Sequence, residues 1–239
     1  MSEGRFDIDL HPLRQPDEVS CGPTCLTVVL WHLGDTHSFE EVDARVDRNR
    51  EGGTIAVFLG RAALDLGYRA TLTSYNVRIF DPTWRDLSSD ELIDRLVRRR
   101  ATLDDEKLAV AHDAYVSFLR EGGSVSFEEL RPRLLFDWLR QGVPVLCGLS
   151  STYLYRAPRE NPWTQEADPI GGQPAGHFVV VCGADRARKT FTVYDPYPGH
   201  PMGEQARYEV AARRLLNAIL LGDVTHDAVL LTVEPQEVR

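Results

Sequence analysis

No run in the 239 residues approaches the ~20 apolar side chains that a membrane-crossing helix needs. Membrane insertion is therefore not expected. The opening Met-Ser-Glu-Gly-Arg-Phe-Asp-Ile-Asp has acidic residues where a secretory signal needs a basic start and an apolar stretch, so a cytoplasmic location is the expectation. A basic excess is missing as well. The formal net charge is −9, the pI is near 5.3, and nucleic-acid binding is not expected of such a surface. The one basic run, Arg98-Arg99-Arg100, ends an amphipathic stretch and reads as cations near a helix C-terminus. Internal repeats and low-complexity segments are absent too.

Cysteine is sparse. Of the four, Cys147 and Cys182 lie in apolar, strand-like runs, where a free thiol behaves as a small hydrophobe. Cys21 and Cys25 are four apart, the wrong spacing for a redox pair or a zinc knuckle. Neither metal nor cofactor is expected. The same spacing does put both thiols on one helix face, which leaves a metal site shared with His177 as an open alternative.

What is present reads as a soluble globular chain, 43% hydrophobic and 26% charged, long enough for one domain with a substantial core. Residues 1–20 should run extended. Cys21 to Gly34 predicts a buried helix with Pro23 in its first turn. A short helix begins at Ser38, with Glu41 as capping-box partner, and another spans Thr54 to Leu66. Tyr68–Asn76 alternates as a strand should. Helices are then expected over Ser88–Arg100, Leu103–Arg120 and Ser126–Gln141, the last with a Ser126/Glu129 capping box. This helical stretch, about 77–141, reads as an insertion into a single domain covering 1–239.

The sheet-forming half, 142–239, starts with strand-like runs at Val143–Leu149, His177–Ala184 and Thr190–Tyr194. Ser150 to Gly176 is a long connection rich in Pro, Tyr and Trp, of the kind that is usually functional or mobile. A helix at about Val210–Leu221 and a strand at Ala228–Glu234 close the chain. Helices first and strands later is an α+β pattern.

Four side chains could do chemistry together. Cys21 stands where a helix starts, and unpaired N–H groups with the helix dipole favour a thiolate there. His177 heads an apolar strand, beside Gly176, which leaves room for close approach. Asp195 ends the next strand and could fix the imidazole's tautomer. Gln15, upstream of Cys21, could donate its amide to an oxyanion alongside the Cys21 backbone N–H. Taken singly, each has an ordinary structural reading: a buried helix-start cysteine, a strand-end histidine, an Asp-Pro turn, a solvated glutamine. Tyr153, Tyr155 and Trp163 in the long connection could line a substrate cleft or cover the core. Gly52-Gly53, Gly122-Gly123 and Gly171-Gly172 read as conformational hinges. Of the other histidines (His11, His32, His37, His112, His200 and His226), only His200, just past Asp195, could lie by the cleft.

Gln15 followed by Cys21-Gly22-Pro23-Thr24-Cys25-Leu26, then Gly176-His177-Phe178-Val179-Val180, then Val193-Tyr194-Asp195-Pro196, resembles the bacteriocin-processing peptidases. These papain-like enzymes cleave double-glycine leader peptides, and the wider group includes free-standing homologues. The resemblance covers the first 80 residues and roughly 142–200. It implies a papain-like fold in which an N-terminal helix carries the nucleophile and packs on an antiparallel sheet. It also implies Cys21 as nucleophile, His177 as base and acid, Asp195 as orienting residue and Gln15 as oxyanion donor. The expected activity is thioester-forming cleavage of a peptide or small amide, with Gly176, Tyr153 and Trp163 as substrate-binding candidates. An acyltransferase using the same triad, or a non-catalytic peptide-binding module, are the alternatives. The oligomeric state is left open.

Overall fold

The computed structural model describes residues 4–236 apart from 51, 165 and 223–227, so His226 lies outside the described residues. In chain order the elements are β1 (Arg5–Asp7), α1 (Cys21–His32), α2 (Phe39–Asp43), α3 (Ala56–Asp65) and β2 (Tyr68–Ser74). The middle of the chain holds α4 (Ser89–Arg100), α5 (Glu106–Arg120), β3 (Ser124–Ser126) and α6 (Pro132–Arg140). The remainder is β4 (Val145–Ser150), α7 (Ser151–Tyr155), β5 (Gly176–Asp185), β6 (Thr190–Tyr194), β7 (Arg207–Ala211), α8 (Ala212–Leu220) and β8 (Val229–Pro235).

All the described strands join one sheet, ordered β3-β2-β8-β4-β5-β6-β7, with β1 added beside β5. Every pairing is antiparallel except β2 with β3. β4 and β5 are the apolar centre: Val145 to Ser150 and Phe178 to Ala184 are buried throughout, as expected of strands covered on both faces. Helix α1 lies against β5 and is buried from Gly22 to Leu30, which suits a helix apolar nearly all round. An α+β architecture with an N-terminal helix on an antiparallel sheet is thus what the chain forms.

Local chemistry accounts for most element boundaries. Ser38 with Glu41, and Ser88 with Glu91, close reciprocal capping boxes on α2 and α4. Asp105 caps α5 by accepting from the Leu108 N–H, so that helix starts at Glu106 rather than Leu103. Three expectations are corrected. Ser126 does not open a helix: residues 124–126 pair in parallel with Thr71–Thr73, and α6 starts later, with Pro132 in its first turn. The middle of the chain is therefore not purely helical, since it gives the sheet an edge strand. The stretch from Val210 also begins as strand, because Arg207–Ala211 pairs with Thr190–Tyr194 before α8 starts. Finally, the connection after β4 is not all loop; it opens with α7, capped by the Ser150 hydroxyl.

The Gly122-Gly123 pair has a packing reason. Gly122 turns at φ +94°, and a Cβ on Gly123 would come within 2.3 Å of the Phe118 ring. That ring belongs to the side of α5 that faces the core.

Candidate active site

Two strand ends and one helix start meet at the site. β5 and β6 pair with Val180 opposite Tyr194, so the first turn of chain past β6 lies diagonally across from the head of β5. Asp195 is thereby brought to His177, and its Oδ1 accepts from the imidazole Nε2 at 2.8 Å. The carboxylate is fully buried and the imidazole nearly so, at 0% and 9% side-chain exposure. With Nε2 committed to the carboxylate, Nδ1 is the nitrogen left for the thiol. Cys21 lies close enough to the ring for its charge to favour the imidazolium.

The helix is fastened to the strand at the same level. The Cys25 thiol donates to the Phe178 carbonyl at 3.3 Å, and burial pushes that thiol's pKa well up, so it stays protonated. A Cβ on Gly22 would meet Thr54 Cγ2 at 2.6 Å and Phe178 Cδ2 at 3.2 Å. Only a glycine lets the start of α1 approach the head of β5 this closely. Cys25 and Gly22 thus set where Cys21 sits. Cys147 and Cys182 are buried, free thiols with raised pKa values, remote from this chemistry. Among the described residues no group of three or more His, Cys, Asp and Glu side chains could hold a metal ion.

Asp195 is held by more than the histidine. Its Oδ2 accepts from the Tyr155 hydroxyl at 2.8 Å and the Tyr208 hydroxyl at 2.7 Å, while Oδ1 also accepts from the Tyr197 N–H at 3.1 Å. Burial alone would raise the carboxyl's pKa. The imidazole and the two phenols outweigh it, and the pKa is lowered. For His177, burial opposes the charged form, but the Asp195 and Cys21 charges dominate and push the pKa up to about 10. Burial and the adjacent carboxylate keep both tyrosines protonated, as donors must be.

Sequence reasoning left Tyr155 as an undecided loop residue and missed Tyr208. Tyr155 closes α7, immediately beyond β4, and Tyr208 sits on β7 opposite Val193. The alternation of Arg207-Tyr208-Glu209-Val210 was a usable signal for the second. His200 is buried, with its ring 5.0 Å from that of Tyr208 and 6.4 Å from that of Tyr155. It supports the tyrosines rather than reaching the imidazole of His177.

Gln15 is buried beside the site. Its backbone N–H donates to the Pro196 carbonyl at 3.0 Å, and its side-chain Nε2 donates to the Asp17 carbonyl at 2.8 Å. The Asp17 carbonyl can only accept, so the nitrogen must face it, which leaves one amide hydrogen uncommitted. Asp17 itself organises the approach to Cys21 by accepting from the Val19 N–H and the Ser20 hydroxyl. Gly176 pairs with Ser150 next to His177 and is exposed. Tyr153 is not at the sulfur: it points into a separate cavity and accepts from Asn217 at 3.2 Å. Trp163 is 86% exposed on a turn of the connection after α7.

No family model matches the chain, and no curated protein matches it. Solved structures do resemble it. The peptidase domain of Streptococcus ComA, a bifunctional ABC transporter in a quorum-sensing pathway, is 15% identical over 97% of this chain and 99% of that one, with a TM-score of 0.45. A double-glycine-motif protease from an AMS/PCAT transporter, solved with its leader peptide, is 12% identical over 97% and 95%, with a TM-score of 0.46. Xylellain, a cysteine protease from Xylella fastidiosa, is 12% identical over 99% and 87%, with a TM-score of 0.49.

Proposed function

We propose that this protein is a papain-like, thiol-dependent peptidase or amide hydrolase acting through Cys21, His177 and Asp195. The observation that carries the reading is the buried Asp195 carboxylate on His177 Nε2, which leaves the other ring nitrogen for Cys21, the cysteine that is not fully buried and whose charge acts on the ring. That is the arrangement an activated thiol nucleophile requires.

The Cys21 sulfur attacks the carbonyl carbon of a peptide or small amide, forming a C–S bond. The oxygen's developing charge is held by the Cys21 backbone N–H and the uncommitted Gln15 Nε2 hydrogen. The His177 imidazolium gives its proton to the departing nitrogen as the C–N bond breaks. Water then adds to the thioester carbonyl and loses a proton to the neutral ring. The C–S bond breaks, the acid leaves, and the thiolate–imidazolium pair is restored. Asp195 stabilises the imidazolium and never takes its proton, because four donors hold it as the anion.

Intact-mass analysis after incubation with a library of peptide vinyl sulfones is the test. One adduct per chain, mapped to Cys21 and lost in His177→Ala, is the expected result. Labelling spread over other cysteines, or none on a folded protein, would contradict the assignment.

A further inference from the structure

We infer that the cavity between α7 and α8 is a subsite for carboxylates of an acidic peptide segment. It has a volume of about 640 Å³ and is lined by Arg156, Arg159, Arg213 and Arg214 together with apolar residues that include Pro174 and Leu221. The ligand's identity as a peptide rests on the peptidase reading; the cationic character of the cavity stands without it.

The charge here is anomalous for this molecule. The chain carries −9 overall, and many arginines elsewhere lie on carboxylates, as Arg45 does on Asp65, Arg61 on Asp47 and Glu121, and Arg188 on Glu209. Among the described residues none of Arg156, Arg213 and Arg214 makes such a pair. Arg159 donates to the Pro169 and Ile170 carbonyls and lies near the Asp168 carboxylate. Arg214 Nε is buried with no hydrogen-bond partner. Burial and the neighbouring Arg156 cation push the Arg214 pKa down. Arg213 and Arg214 also stand in the first turn of α8, which has no acidic residue there and no side-chain cap. The partial positive charge of that helix end adds to theirs. Arg156 adopts a left-handed backbone at φ 55°, unusual for a residue with a side chain. Four arginines and a helix N-terminus thus concentrate positive potential here, and among the described residues the one carboxylate whose charge meets them is that of Asp168, beside Arg159.

Size and position favour a peptide over a free anion. The cavity is far larger than a phosphate needs, and its apolar lining residues suit a ligand with apolar parts as well. Pro174, on its wall, is three residues from His177 along a chain that runs straight into β5, a distance on the order of 10 Å in extended chain. A peptide lying across the head of β5 would reach it within a few residues of the bond being cut. The loop between separates two faces of opposite charge. Glu160 on it lies near Glu18 and Tyr197 on the Cys21 side, while Arg159 faces the cavity.

Isothermal titration of full-length Cys21→Ser protein with end-blocked triglutamate is the test, with triglutamine and inorganic phosphate as controls. Triglutamate should bind at least about tenfold more tightly than either control and weaken as salt rises. Arg214→Gln and Arg156→Gln should each cost about tenfold, whereas Arg188→Gln, at the paired arginine, should change nothing. Phosphate binding as tightly as triglutamate would overturn the peptide assignment. Absence of triglutamate binding to a protein with unchanged circular dichroism would overturn the site itself. Peptide turnover by the wild type is scored separately. Binding without turnover removes the peptidase reading and leaves the cationic site; turnover without binding removes only this proposal.

Discussion

Two polar sites lie on either side of α7, and the fold treats their charges in opposite ways. Asp195 is an anion surrounded by donors: an imidazole, two phenols and a backbone N–H. Arg214 is a cation whose Nε is buried without a partner and whose nearest charged influence is another cation. A buried charge is tolerable only when neighbouring groups compensate it. At Asp195 the chain supplies that compensation itself, so the site is preorganised before any substrate arrives. Arg214 is only half-buried, so water meets part of its charge, and among the described residues no carboxylate pairs with it, which leaves that place for a ligand.

The largest expected effect comes from removing the compensated charge. Asp195→Ala strands Tyr155, Tyr208 and His177 together and should cost about 3–5 kcal/mol, read from the urea midpoint. Asp195→Asn keeps the volume but offers the ring the wrong hydrogen-bonding pattern. It should stay folded and lose on the order of 10³–10⁴ in turnover. Equal stability of the alanine variant and the wild type would show that the carboxylate is not the keystone described here.

The same site sets a pH window. The His177 pKa is raised from its ordinary 6.5 to about 10, so the stability it contributes is complete below pH 6.5 and is lost as pH rises through 10. The Asp195 pKa is lowered, so its contribution is present above its ordinary 3.8 and disappears as pH falls through the lower folded value. Denaturation midpoints should therefore fall between pH 6.5 and 10 in the wild type and much less in His177→Gln. A variant with an unchanged alkaline slope would mean that the pair is not charged.

Much of this arrangement could be read from the chain. Strand β6 was placed residue for residue, because Thr190–Tyr194 is bounded by Lys189 and the Asp195-Pro196 pair. The convergence of His177 and Asp195 followed from two adjacent strands joined by a short turn, a local feature. The three short strands Arg5–Asp7, Ser124–Ser126 and Arg207–Ala211 escaped notice. Each is three to five residues long and owes its existence to a partner 13 to 180 positions away; periodicity inside the segment cannot supply that. Tyr155 and Tyr208 were hidden for the same reason, since their roles depend on distant elements closing over one carboxylate. The cationic cavity was invisible too. Arg156 and Arg214 look like ordinary surface charges until the ion pairs made by the other arginines are seen.

Tyr155→Phe and Tyr208→Phe sharpen the contrast at intermediate size. Each removes one hydrogen bond to a buried charge and should cost about 1.5–3 kcal/mol. Turnover should fall roughly tenfold with a smaller change in KM, since the carboxylate loses its fixed orientation on His177. The acid limb of the stability profile should move to higher pH, because fewer donors hold the anion. Because both phenols donate to Oδ2, the one that remains in each single variant bonds more strongly, and the double variant should lose more than the sum of the singles. Strict additivity would mean that the two act independently.

The smallest effect should carry the opposite sign. Arg156→Gly removes a cation that opposes Arg214 and places the one residue without a Cβ at φ 55°. Relief of the left-handed backbone alone contributes about 1 kcal/mol, partly offset by the greater freedom of glycine in the unfolded chain. The variant should therefore be as stable as the wild type or slightly more stable, while it binds triglutamate more weakly. Neutralising a charge then weakens the protein at Asp195 and spares it at Arg156. A destabilised Arg156→Gly protein would show that the arginine serves the fold, and the difference between the two sites would vanish.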